Sequence, residues 1–67
     1  MDPITQYRDK RKLTQEALAA LVGTTKATIS RIESGKRKPS VPLARRIAKT
    51  TGISMKALRP DVYGASA

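Results

Sequence analysis

An all-α fold of five short helices is what this sequence predicts, and three observations predict it. Apolar residues recur at helical rather than alternating spacing, as in Leu18, Ala19 and Val22 or in Ala44, Ile47 and Ala48. A Ser, Thr or Asp stands just ahead of each such stretch, where its oxygen can accept from the free N–H groups of a first turn. Gly or Pro closes four of the five stretches (Gly23, Gly35, Gly52 and Pro60), and no strand pattern, internal repeat or low-complexity tract interrupts them. At 67 residues the chain is one domain at most. Residues 1–59 read as that domain and 60–67 as a loosely held tail in which Val62 and Tyr63 could dock.

The elements follow in order. Asp2 caps helix one and Pro3 fits its first position, where a missing N–H is harmless; the helix runs over about 3–11, with Ile4 and Tyr7 on one side. Thr14 caps helix two, about 15–22, and Glu16 complements the positive end of its dipole. Gly23 then takes the left-handed conformation that ends it. Thr24 or Thr25 caps helix three, about 26–34. The link from helix two is so short that the two helices must meet at a sharp angle, which is helix-turn-helix geometry. "GKRKPS" is a cationic loop. Ser40 caps helix four, with Pro42 still in its first turn and Val41, Ala44, Ile47 and Ala48 facing inward; Ser54 caps a short helix five that turns Leu58 inward.

Charge is the strongest compositional signal. Fourteen Lys and Arg oppose five Asp and Glu, for a net charge of +9, and from Lys36 to Lys49 there are six basic residues and no acid. Such a field attracts polyanions. The chain has no Cys and no His, so a thiolate zinc site, a disulfide framework and the commonest acid–base catalyst are all excluded. With few acids besides, no catalytic cluster can be drawn and an enzyme is not expected. No cofactor is expected either. Two Tyr and no Trp or Phe leave little with which to stack unpaired bases or to face a lipid surface. The apolar runs are too short for a membrane span or a signal peptide, so the expected location is cytoplasmic, with nucleoid association if the polyanion is DNA.

The stretch "GTTKATISRIE", residues 23–33, concentrates the functional signal. On a helical wheel Thr25, Ile29 and Ile32 share one side, while Lys26, Ala27, Ser30 and Arg31 span an opposite arc about 140° wide. A polar outer face is ordinary in any amphipathic helix, and alone it would mean only solvation. The spacing adds weight. Ala19 is small enough to let helix three approach helix two closely, Gly23 supplies the turn, and Ile29 and Ile32 anchor helix three to the core. That leaves the arc free to enter a major groove.

The stretch "TQEALAALVGTTKATISRIESGKRKPS", followed by "RRIAKTTGISMKAL", resembles the Cro/C1-type (XRE-like) helix-turn-helix repressors of phages and bacteria, over about Ile4 to Leu58. The resemblance implies a compact five-helix, lambda-repressor-like domain. It implies a sequence-specific regulator that binds a palindromic double-stranded DNA operator as a homodimer. Carried onto this sequence, it makes Lys26, Ala27 and Arg31 readers of base edges, flanked by Thr28 and Ser30. Gln15 would touch a phosphate and brace residue 26, and the backbone at Thr25 would hold another phosphate. Lys36, Arg37 and Lys38 would follow the DNA backbone. Arg8 and Glu33 would form a semi-buried ion pair between helices one and three. General chemistry agrees for the readers: Lys and Arg donate to guanine O6 and N7, and a methyl packs on that of thymine.

Two departures from the family pattern stand out. The Gln-rich reading face of well-studied relatives is missing, so no base preference carries over. Lys12 takes a helix-end position often held by Gly, which leaves the end of helix one open. Arg45, Arg46 and Lys49, like Arg11, Lys12, Lys56 and Arg59, read equally well as solvated charges or as phosphate contacts. The alternative to a DNA-binding regulator is an antitoxin or other protein-interaction module on the same fold. A self-associating chain this short must use helix five, the 60–67 tail or the 36–40 loop.

Overall fold

The computed structural model describes residues 2–64; Met1 and the last part of the expected tail, 65–67, lie outside the described residues. Five α-helices follow one another: α1 (Pro3–Arg11), α2 (Gln15–Val22), α3 (Lys26–Glu33), α4 (Val41–Thr51) and α5 (Met55–Leu58). A wide π-helical turn over Pro60–Gly64 closes the described chain. None of the helices is long and apolar enough to cross a membrane.

Every α-helix starts at a side-chain cap. The Asp2 carboxylate accepts from the N–H groups of Ile4 (2.9 Å) and Thr5 (3.0 Å). Thr14, Thr25, Ser40 and Ser54 accept from Ala17, Thr28, Leu43 and Ala57 respectively, at 3.0 to 3.3 Å. Each such bond satisfies an N–H that the helix itself cannot, and losing one costs about 1 kcal/mol. In a domain with so small a core, five of them are a sizeable share of what sets the helix boundaries.

The core holds ten residues: Ile4 from α1, Leu18, Ala19 and Val22 from α2, Ile29 and Ile32 from α3, Leu43, Ala44 and Ile47 from α4, and Leu58 from α5. Tyr7, Ala48, Ile53 and Met55 pack around it. Each helix thus supplies at least one anchor, and no helix could bury its stripe without the others. The inward face of α4 differs from the expectation. Leu43 is buried, whereas Val41 and Ala48 are only half-buried. The buried stripe of α4 is therefore 43, 44 and 47, with Leu43 in place of Val41 and Ala48. α3 packs chiefly against α2, and α4 packs against α2 and α5. α2 is the central element that both neighbours share.

Two further details concern chain ends. Lys12 closes α1 at φ 58°, the single non-glycine residue with positive φ among the described residues, and its N–H donates to the carbonyls of Arg8 and Asp9. Helix one therefore does end at residue 11, with a Lys held where Gly is more at ease. Beyond α5, Arg59 organises the tail: it donates to both Asp61 oxygens, at 3.0 and 2.7 Å, and to the Pro39 carbonyl at 2.9 Å. Its guanidinium fastens the start of the tail to the foot of the α3–α4 loop.

Relief of the left-handed strain gives a stability prediction. Lys12→Gly should raise the unfolding free energy by about 0.5–1 kcal/mol, the relief of strain exceeding the extra freedom given to the unfolded chain. Urea unfolding followed by circular dichroism measures it; an unchanged or lower midpoint would show that the Lys12 backbone is unstrained.

Candidate nucleic-acid interface

The link between α2 and α3 is three residues long, Gly23 to Thr25. Gly23 sits at φ 77° and its N–H donates to the Ala19 carbonyl, which also accepts from Thr24 at 2.9 Å. The chain turns within this link at Gly23, a residue that reaches the left-handed conformation without penalty. Ala19, 2% exposed, and the buried Ile29 and Ile32 then seat α3 closely on α2.

With that side anchored, the other side of α3 is set by helical geometry. Lys26, Ala27, Ser30 and Arg31 are all exposed. Thr28 is half-buried; its hydroxyl lies 3.0 Å from that of Thr25, and its N–H donates to the same Thr25 oxygen at 3.2 Å. The structure therefore brings four of the five residues read as base contacts onto one open arc and holds the fifth against the helix start. Thr25 is exposed, at the positive end of the helix dipole.

The far end of α3 carries the fold's central polar contact. Arg8 Nε donates to Glu33 Oε2 at 2.7 Å and Arg8 Nη2 to Glu33 Oε1 at 2.9 Å, a two-pronged pair whose side chains are 16% and 9% exposed. The third guanidinium nitrogen, Nη1, donates to the Leu13 carbonyl at 3.0 Å. Gln15 Nε2 donates to Glu33 Oε1 at 3.0 Å. Gln15 is thus bound to Glu33 rather than turned toward residue 26. Burial raises the Glu33 pKa, but the hydrogen bonds from Arg8 and Gln15 outweigh it and hold the carboxyl below its ordinary value. The same pairing raises Arg8.

Past α3 the chain folds back on the helix end. The N–H groups of Lys36 and Arg37 and the Ser34 hydroxyl all converge on the Arg31 carbonyl, at 3.0, 3.3 and 3.1 Å. Lys36, Arg37 and Lys38 are exposed, and Lys38 Nζ lies 3.6 Å from Asp61 Oδ2. An exposed pair of this kind contributes little stability. Asp61 itself is pulled well below the carboxylate range, first by its hydrogen bonds from Arg59.

One feature escaped the sequence. Arg46, on α4, lays its guanidinium across the end of α2: Nε donates to the Val22 carbonyl at 3.1 Å, and Nη2 lies 3.4 Å from the Gly23 carbonyl. The partners are more than twenty residues apart in the chain, so no local pattern could announce them.

Comparison with known proteins follows the same outline. The sequence profile of the helix-turn-helix family matches residues 4–58. An uncharacterized HTH-type transcriptional regulator of Methanothermobacter thermautotrophicus is 47% identical over 49 residues, 73% of this chain and 71% of that protein. One from Methanocaldococcus jannaschii is also 47% identical over 49 residues, 73% and 74% of the two chains. One from Archaeoglobus fulgidus is 46% identical over 46 residues, 69% and 65%. No solved structure matches the chain significantly.

The buried pair generates two predictions. Glu33→Gln should lower stability by about 3 kcal/mol, at the low end for breaking a buried pair because Arg8 keeps some contact with water. An unchanged melting temperature would show that the pair carries no weight. The pH dependence has a definite sign. Because the folded-state pKa of Glu33 is lowered, its contribution is fully present above the unfolded value near 4.5 and is lost as pH falls through the folded value. Wild-type stability should drop more steeply below pH 4.5 than that of Glu33→Gln, by thermal melts across the acid range.

Proposed function

The chain belongs to the helix-turn-helix family of DNA-binding transcriptional regulators, and from that premise we propose that it reads a specific double-stranded operator through α3. The family's members are not enzymes, and the protein's work is binding. The observation that carries the reading is the two-sidedness of α3: Ile29 and Ile32 are buried while Lys26, Ala27, Ser30 and Arg31 are exposed together. A rigid helix with one anchored and one cationic face is what entry into a major groove requires.

In this reading Lys26 and Arg31 donate to guanine edges, Ala27 packs on a thymine methyl, and Ser30 bonds to a nearby base. Thr28, pinned to Thr25, borders the base-reading group as a minor contributor. Phosphates are met by the backbone at Thr25, by Gln15 with the amide hydrogen not given to Glu33, and by Lys36, Arg37 and Lys38. The protein acts as a repressor, by covering its operator, and binds a palindrome as a homodimer. The loop of Lys36, Arg37 and Lys38 would repel its own copy, so self-association falls to helix five and the tail, where Val62 and Tyr63 are 51% and 36% exposed.

Selection of bound duplexes from a random pool, followed by titration at several salt concentrations, tests the reading. Neutralising about six phosphates should reduce affinity roughly a thousandfold between 50 and 200 mM salt. Arg31→Ala and Lys26→Ala should each lose about 1–3 kcal/mol on the selected duplex and relax preference at one or two positions, whereas Lys36→Ala should weaken selected and random duplexes alike. If Arg31→Ala weakens both by the same factor, Arg31 reads no base.

A further inference from the structure

We propose that Arg46 is a positioning residue for DNA reading: by clamping the last carbonyls of α2, it fixes the angle at which α3 leaves the turn. The proposal rests on the reading of α3 as the base-contacting helix and adds the part that aims it.

The geometry is specific. Val22 and Gly23 end α2, where carbonyls lack partners within the helix and the dipole is negative. Arg46 supplies both a positive charge and N–H groups there, with Nε at 3.1 Å from the Val22 oxygen and Nη2 at 3.4 Å from the Gly23 oxygen. The Gly23 carbonyl belongs to the peptide that begins the link to α3, only three residues before Lys26. A guanidinium at this place therefore restrains the peptide plane about which α3 would swing.

From the α4 side the other restraint is non-directional apolar packing in the shared core. α3 packs chiefly on α2, and α4 reaches the core beside α2 and α5. Arg46 is the polar tie from α4 to the turn. A Cβ built on Gly23 would meet Arg46 Nε at 3.8 Å, so the guanidinium occupies the side of the turn toward which a side chain at residue 23 would project.

Small angles matter at this hinge. The eight residues of α3 span about 12 Å at 1.5 Å per residue, and Glu33 is pinned by Arg8 and Gln15, so a tilt of about 10° about that end moves the Lys26 end by about 2 Å. Donor–acceptor distances in hydrogen bonds vary by only about 0.5 Å. Such a tilt separates Lys26 and Ala27 from base edges while leaving the flexible Lys36, Arg37 and Lys38 able to follow phosphates. Loss of Arg46 should therefore damage specific binding far more than general binding.

The test uses the full chain and two readouts. First, residual dipolar couplings of backbone N–H vectors in the free protein report whether α3 shares one rigid frame with α2 and α4. Wild type and the control Arg45→Ala should fit one frame, and Arg46→Ala should leave α3 off it or averaged; a common frame in Arg46→Ala overturns the clamp. Second, affinity is measured for a duplex selected by the wild type and for a random duplex. Arg46→Ala should lose at least about tenfold more on the selected duplex, comparable with one lost base contact. Equal losses on both, with a shallower salt slope, would make Arg46 a phosphate contact and overturn the proposal. Replacement of Arg46 by citrulline, through chemical synthesis, keeps the shape, the Nε–H and one terminal NH2 but removes the charge. It should keep both the frame and the ratio of affinities, and their loss also overturns the clamp. This variant decides the matter if Arg46→Ala does not fold. If selection enriches no sequence, base reading by α3 fails, and the couplings still decide the clamp on their own.

Discussion

The carboxylate of Glu33 holds the domain together at its polar end. It receives two hydrogen bonds from Arg8 on α1 and one from Gln15 on α2, while belonging to α3. The same Arg8 bonds the Leu13 carbonyl in the α1–α2 link. Three helices and one connection thus meet on three side chains. Hydrophobic contacts among ten small and medium residues are non-directional and could be satisfied by several nearby packings. A fork-shaped donor on a planar acceptor cannot, because its bonds lengthen or bend as soon as either helix slides. The net free energy of such a pair is modest, since desolvation offsets attraction. Its contribution is to register: it fixes how far along α2 the end of α3 must lie.

The acidic residues are few, and their placement explains how a chain of net charge +9 folds without wasting its cations. Asp2 caps α1, Glu16 lies in the first turn of α2, Glu33 answers Arg8, and Asp61 answers Arg59. Only Asp9 lacks a partner of this kind, and it sits exposed on α1. None of the five falls on the open arc of α3 or between Lys36 and Lys49. The negative charges are used at helix starts and between elements, where they shape the backbone. The cations of α3 and of the loop are left facing water, apart from the loose approach of Lys38 to Asp61.

Much of this was legible in advance because it is written in local chemistry. Asp2, Thr14, Thr25, Ser40 and Ser54 announce helix starts through oxygens that reach only two or three residues ahead. The anchors Ile29 and Ile32 follow from period alone, and so does the exposed arc they leave. What period could not fix was the phase of α4, where Leu43 rather than Val41 turns inward. An apolar residue stands at both positions, and only the shape of the neighbouring α2 and α5 chooses between them. Contacts between distant residues were less accessible still. The Arg8–Glu33 pair came from a family resemblance, while the Arg46 bonds to α2 and the Arg59 bond to Pro39 came from nowhere in the pattern. Arginines on helix faces look alike in a sequence, and tertiary placement alone distinguishes a brace from a solvated charge. The lean of Gln15 toward Glu33 has the same origin.

The side chains of Lys26, Ala27, Ser30 and Arg31 have one more property in common. None bonds to another described residue, and none takes part in the core. Replacing any of them disturbs neither the anchors beneath nor the caps at either end, so these four positions are free to drift while the scaffold persists. On the proposed reading of α3, duplicated copies of such a gene could diverge into paralogues that share one chassis and differ in what they select, with new preferences arising by single substitutions and no interval of misfolding between them.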